Sequence, residues 1–364
     1  MTTTILVGDV REKLRTLPSE SVHCIVTSPP YWGLRDYGVD GQIGLEASPA
    51  EFIATMVAVF EELRRVLRPD GTCWVNMGDS YAGSWGAQGR ANGNGQMAGR
   101  SVASARQIGA APRFGTGTGT RGKEFGLKPK DLVMMPHRLA IALQDAGWWV
   151  RQDIVWAKPN PMPESVRDRC TKSHEYIFLL TKSEQYYFDQ DAISEPVSAN
   201  THARLSQDVQ NQIGSARANG GAKSNGNMKA VGRKLGSTTG VGFGRGYDKV
   251  AKPRVKNNES FDEAMSIMPD RRNKRSVWTM VTQSFKEAHF ATFPTELPET
   301  CIKAGCPSGG TVLDPFFGAG TTGLVADRLQ RHCIGIELNP AYADLARKRI
   351  QAESTLFAQI EVAA

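Results

Sequence analysis

Apolar positions in this chain alternate between short continuous runs and stretches spaced at three and four residues, as expected of buried strands interleaved with amphipathic helices. Residues 5–7 and 23–27 are short β-rich runs. Ser48-Pro49-Ala50-Glu51 reads as a capping box with proline at the first helical position, and Phe52, Met56, Phe60, Leu63 and Leu67 follow at helical spacing. Arg68-Pro69-Asp70-Gly71 predicts a turn that ends this helix, before a strand over 72–76. A second helix is predicted over 131–146, with Gly147 as its stop and a strand over 148–156 behind it. Nearer the C-terminus the pattern predicts a strand over 311–313, a helix over 320–329 and a strand over 333–337. The Asn339-Pro340 pair then caps a last helix that runs to residue 350. Helices alternating with buried strands predict an α/β fold on a mainly parallel sheet.

Two stretches break this pattern. Residues 82–122 hold eleven glycines among Asn, Ser, Thr and Arg, and residues 198–254 are similarly rich in Gly, Asn, Ser and basic side chains. Neither shows hydrophobic periodicity, so both read as long loops, linkers or segments that take structure from a partner. Charge sharpens that reading. The chain is net +7, yet residues 196–280 carry 15 Lys/Arg against 6 Asp/Glu and residues 82–125 carry 6 against 1, which leaves the remainder negative. Positive charge confined to two stretches is what a polyanion-binding surface requires.

At 364 residues, 40% hydrophobic and 22% charged, the chain has the composition of a soluble globular protein large enough for a full core. Its longest apolar runs fall short of a membrane span, and Asp9, Arg11, Glu12 and Lys13 stand where a signal-peptide core would lie, so a cytoplasmic location without membrane contact is expected. Six cysteines, at 24, 73, 170, 301, 306 and 333, form no Cys-x-x-Cys pair, and the position four after His174 is Phe178, so no metal site is expected.

The candidate chemistry lies in two segments nearly three hundred residues apart. Asp314-Pro315-Phe316-Phe317-Gly318-Ala319-Gly320-Thr321-Thr322-Gly323 joins a predicted strand to a predicted helix, with glycines that let backbone approach a ligand. Glu337 ends the next strand, 23 residues on, where an acid can accept hydrogen bonds from both hydroxyls of a ribose. Gly318, Gly320 and Gly323 formally satisfy a dinucleotide fingerprint, but an acid at the strand end would repel a pyrophosphate and can pair with an ammonium group. S-adenosylmethionine carries that ammonium and no phosphate. The other segment, Thr27-Ser28-Pro29-Pro30-Tyr31-Trp32, follows the second strand.

Together these segments resemble the amino-methyltransferases of DNA restriction-modification and phage systems, in the permuted order of the β class, with the target motif first and the donor motif last. The resemblance implies a Rossmann-like S-adenosylmethionine-dependent methyltransferase fold with a circularly permuted motif order and an inserted basic target-recognition region. Asp314, Phe316, Gly318 and Gly320 match the donor motif and Glu337 the ribose-binding acid. His289-Phe290-Ala291-Thr292-Phe293-Pro294 is similar to the segment that holds the methionine end, and Val7-Gly8-Asp9-Val10 to the strand whose Asp lies near the adenine. The implied cofactor-binding set is Asp9, Thr292, Phe293, Asp314, Phe316, Phe317, Gly318, Gly320, Thr321, Thr322, Glu337 and Asn339. Ser28, Pro29, Pro30 and Tyr31 form the implied catalytic set.

An exocyclic amine is a poor nucleophile because its lone pair is delocalised into the ring. Acceptors on both amine hydrogens localise that lone pair for in-line attack on the sulfonium methyl. Ser28 Oγ and the Pro29 carbonyl are expected to be those acceptors, and Tyr31 is expected to stack on the base. A base inside a duplex must be flipped to reach them, at a cost of roughly a few kcal/mol. The family's N6-adenine enzymes usually begin this motif with Asp and its N4-cytosine enzymes with Ser, so N4 of cytosine is expected and N6 of adenine is the alternative. Methylation at cytosine C5 needs a cysteine nucleophile in a Pro-Cys motif, and no cysteine here follows a proline. An RNA substrate and a catalytically silent nucleic-acid-binding module are further alternatives, though keeping both motifs intact counts against the latter.

The segments 147–159 and 169–176 resemble strands of the same enzymes; Trp148, Trp149 and Trp156 are expected to pack in the sheet, while Lys158, Arg169 and His174 are candidates for phosphate or base contact. The expected layout is a target-base half over 1–195 that includes the Gly-rich loop 82–125, a basic DNA target-recognition region over 196–270, and a donor-binding half over 271–364. Double-stranded DNA is the expected partner. The resemblance leaves a homodimer and a cognate restriction endonuclease open.

Overall fold

The computed structural model describes residues 1–33, 38–82, 127–128, 130–197, 270–282, 293–353 and 359–363. The Gly-rich loop beyond Ala82, nearly all of the basic region 196–270, and Thr292 lie outside the described residues. The chain divides into two compact units, one of residues 1–193 with 275–364 and one of residues 194–274.

The larger unit is built on one sheet. Its strands in chain order are β1 (Thr2–Val7), β2 (Val22–Thr27), β3 (Leu67–Met77), β4 (Trp149–Ala157) and β5 (His174–Thr181), followed by β8 (Val277–Thr279), β9 (Thr311–Asp314), β10 (His332–Glu337) and β11 (Gln359–Ala363). The smaller unit supplies β6 (Glu195–Pro196) and β7 (Arg271–Arg272), which pair antiparallel. Across the main sheet the order is β11-β1-β10-β9-β2-β3-β5-β4-β8. Every pairing is parallel except those of β5, which runs against both β3 and β4. The late strand β9 sits between β10 and the early strand β2, so the sheet's centre is assembled from both ends of the chain.

Helices cover both faces, which is why the central strands read as continuous apolar runs. On one face lie α1 (Val10–Thr16), α2 (Pro49–Val66) and α3 (Met135–Asp145), with Leu14, Phe52, Phe60, Leu63 and Leu139 in a core that also holds Ile25 and Val75. On the other lie α4 (Glu296–Gly305), α5 (Thr321–Arg328) and α6 (Pro340–Glu353), with Leu297, Ile302, Leu324 and Ile350 packed against Cys24, Trp74 and Val312. The result is an α/β fold with a mainly parallel central sheet.

Local chemistry sets the helix starts. The Ser48 side chain accepts from Glu51 N as the capping box predicts, and Glu51 reaches back one residue beyond the cap, to Ala47 N. Two boundaries differ from the sequence expectation. Leu67 ends α2 and opens β3 by pairing with Val22, while residues 68–71, where the sequence predicts a turn, pair with neither β2 nor β5 and bulge out before regular pairing begins at Thr72. Proline is tolerated at such a strand beginning. The second helix starts at Met135 and not at 131, because Pro136 in its first turn sacrifices no helical hydrogen bond and Leu132 is bridged to Tyr81 instead. Among the described residues no helix is long and apolar enough to cross a membrane.

Candidate active site

Parallel strands all end on the same edge of a sheet, and in α/β folds ligands gather there. Here that edge carries Glu337 at the end of β10, Asp314 at the end of β9, Ser28 just past β2 and Asn76 near the end of β3. Because β5 is antiparallel, its first residues, including Glu175, come to the same edge, as does Lys158 just past β4. These residues line one cavity of about 300 Å³.

Its first end is acidic. Asp314 is 1% exposed, and its carboxylate accepts from Thr27 Oγ1 at 2.9 Å, Thr322 Oγ1 at 2.6 Å and Phe316 N at 3.1 Å. Burial nonetheless pushes its pKa up to about 7, against the lowering effect of these donors. Glu337 is also raised by burial, while accepting from Asn339 N and Gly318 N, both at 2.8 Å. Each of its oxygens keeps a lone pair for a further donor. Asp9 caps α1 and is held below the usual carboxylate range chiefly by its hydrogen bond with the Arg11 side chain. Lys158 is the one cationic side chain among the described residues that line the cavity, and it belongs to the other end. Two acids whose pKa burial raises fit a positively charged donor such as S-adenosylmethionine, and they disfavour a pyrophosphate.

The second end surrounds Ser28. Tyr31 Oη donates to Glu175 Oε2 at 2.9 Å, and Asn76 Nδ2 donates to the same oxygen at 3.2 Å. Lys158 Nζ pairs with Glu175 Oε1 and lies 4.3 Å from the centre of the Trp156 ring. Burial, then the Glu175 charge, pushes the Tyr31 phenol well above its ordinary pKa.

The sequence-predicted residues therefore fall into three groups. Ser28, Pro29, Pro30 and Tyr31 share one cavity with Asp9, Phe293, Asp314, Phe316, Gly318, Thr321, Glu337 and Asn339. Phe317 also borders it, but its ring is 3% exposed and lies over Gly335, where an added Cβ would come within 2.4 Å. Gly320 and Thr322 do not line it. Gly320 opens α5 at φ +73°, where a Cβ would meet Ala346 at 2.9 Å; Thr322 is fully buried and holds Asp314. Both support the donor loop from behind. Thr292 lies outside the described residues.

Asn76 and Glu175 were not among the predicted site residues, and Lys158 was only a candidate for contact. Their signal was a polar side chain at the end of an apolar strand, which gains meaning only once strand order is known. Trp156 is buried with its Nε1 donating to the Met280 carbonyl, as sheet packing requires, whereas Trp149 is 45% exposed.

The chain matches the model of the DNA methylase family (N6/N4 methyltransferases) over residues 22–348. It is 42% identical over 361 residues to the Type II methyltransferase M.Cfr9I of Citrobacter freundii, covering 99% of this chain and 91% of that one. It is 40% identical over 346 residues to M.SmaI of Serratia marcescens, covering 95% and 90%. Among solved structures it resembles in fold TTHA0409 of Thermus thermophilus, a protein described as a DNA modification methylase and solved in complex with S-adenosyl-L-methionine. That likeness has a TM-score of 0.53 at 21% identity and covers both chains in full.

Proposed function

We propose that this chain, which belongs to the N6/N4 DNA methylase family, methylates the exocyclic N4 of a flipped cytosine in duplex DNA. It is a DNA amino-methyltransferase of the restriction-modification type, and S-adenosylmethionine is its methyl donor. The choice of base, the flipping and the residue roles are the proposed part.

The observation that carries the proposal is the shared cavity, in which Ser28 stands between the acidic end and the Glu175 cluster. S-adenosylmethionine, when bound, supplies an electrophilic methyl group on a cationic sulfur. Asp314 binds and orients the donor's ammonium, with Thr27 and Thr322 holding the carboxylate in place. Glu337 accepts from the ribose hydroxyls with the lone pairs left by Gly318 N and Asn339 N. Ser28 Oγ and the Pro29 carbonyl accept the two amine hydrogens, favour a pyramidal nitrogen and aim its lone pair at the methyl group. Serine at the first motif position supports cytosine over adenine. The late position of β9 in the chain supports the permuted, β-class order, and the basic stretch over 196–270 supports a role in reading and neutralising DNA.

Nucleoside mass spectrometry of DNA incubated with the protein and S-adenosylmethionine tests this. N4-methylcytosine is expected. N6-methyladenine would overturn the base assignment and keep the mechanism, and methylation of RNA alone would overturn the substrate.

A further inference from the structure

We propose that Tyr31 and Glu175 carry away the proton that the substrate amine must lose, an inference that rests on the reading above that Ser28 holds that amine. Transfer forms a nitrogen–carbon bond with the amine lone pair and breaks the sulfur–carbon bond, whose electrons stay on sulfur. The nitrogen is left cationic and must release one proton. A serine hydroxyl is too weak a base to keep it.

The cavity offers a path. Ser28 and Tyr31 line it together from one motif, and Tyr31 Oη donates to Glu175 Oε2 at 2.9 Å. The Tyr31 hydroxyl already donates toward the carboxylate. A proton therefore leaves the amine for Ser28 Oγ, the original Ser28 proton passes to Tyr31 Oη, and the original Tyr31 proton passes to Glu175. The products are a neutral methylated amine, two regenerated hydroxyls and one neutral carboxylic acid. The link between Ser28 and Tyr31 tightens when substrate fixes Ser28, as hydrogen bonds in unliganded active sites commonly do.

The surroundings suit this path. A phenol that must accept one proton while giving another has to stay neutral, and burial holds Tyr31 in that form. Its ring is seated against Gly78, where a Cβ would lie 2.8 Å from Cε2, so the hydroxyl is held on the carboxylate. Asn76 Nδ2 orients Glu175 Oε2 and Lys158 holds Oε1. The other charged groups around the cluster are Lys172, ahead of β5, and its neighbours Asp79 and Glu164; Lys172 Nζ donates to the Asp79 carbonyl at 2.6 Å. A tyrosine that served only as a stacking platform would have no use for its hydroxyl.

Single-turnover methylation by the full chain, with saturating donor and DNA, tests this. Tyr31→Phe keeps the ring and is expected to slow transfer at least about tenfold, with donor and DNA affinity unchanged. Glu175→Gln keeps the side chain's size and removes the acceptor, and should slow transfer to a similar extent with donor and DNA affinity unchanged. Tyr31→Phe transferring at the wild-type rate would overturn the relay, and Glu175→Gln transferring at the wild-type rate would overturn the part given to Glu175. If wild type yields no methylated DNA amine at all, it is the underlying reading that fails, and product analysis of wild type tells the two failures apart.

Discussion

Replacing Asp314 by Asn removes a charge that the ligand-free fold holds at a cost. Its pKa is raised from 3.8 to about 7 by burial, which corresponds to about 4 kcal/mol against the ionised form. The folded value lies above the unfolded one, so the native state binds the extra proton between these two pH values. Stability is therefore unpenalised below the unfolded value, falls as pH rises toward about 7, and carries the full penalty above it. Asn keeps an acceptor for Thr27 and Phe316 N, and the Thr322 hydroxyl can turn to accept from the new amide. Allowing for relaxation, the variant should gain roughly 2 kcal/mol at mildly alkaline pH and almost nothing at acid pH. Donor binding should move the other way, because the ammonium loses a buried ionic partner at a cost of roughly 3 kcal/mol or more, about a hundredfold in affinity. Urea denaturation of ligand-free protein at two pH values, with calorimetric titration of S-adenosylmethionine, reads both effects. A stability gain that is equal at both pH values, or wild-type donor affinity in the variant, would refute the reasoning. In wild type the same titration predicts that donor affinity weakens as pH drops below about 7.

Ser28→Ala should abolish turnover while calorimetry finds donor binding intact; normal methylation by this variant would show that the target pocket is misassigned. Gly335→Ala should destabilise the fold by about 1–3 kcal/mol in urea denaturation, because the new methyl would meet the Phe317 ring at 2.4 Å and force it off the strand; an unchanged midpoint would mean that the ring is not held there. DNA affinity should fall steeply and linearly with the logarithm of salt concentration. Neutralising Lys223, Lys229, Arg233 and Lys234 together should flatten that slope by roughly one for each phosphate that they neutralise in wild type, and a slope that stays the same would place DNA elsewhere.

Much of the donor side is legible in local sequence, because its geometry is local. Asp314 and the glycines after it belong to one strand–turn–helix, and Glu337 ends the next strand, so short spacing alone brings them to one place. The capping box at Ser48 and the apolar spacing of α2 are equally short-range, and the alternation of strands and helices foretold a mainly parallel sheet. Tertiary structure decided the rest, because those contacts join residues with no fixed spacing. Thr27 meets Asp314 across 287 positions, and Tyr31 meets Glu175 across 144. Only the antiparallel course of β5 brings Glu175 to the edge where the parallel strands end, and only the packing of α6 shows why Gly320 serves the loop from behind and not from within the cavity. Charge behaves in the same way. The sequence supplies the carboxyl of Asp314, but burial at the centre of the sheet is what raises its pKa to about 7 and makes the site call for a cation.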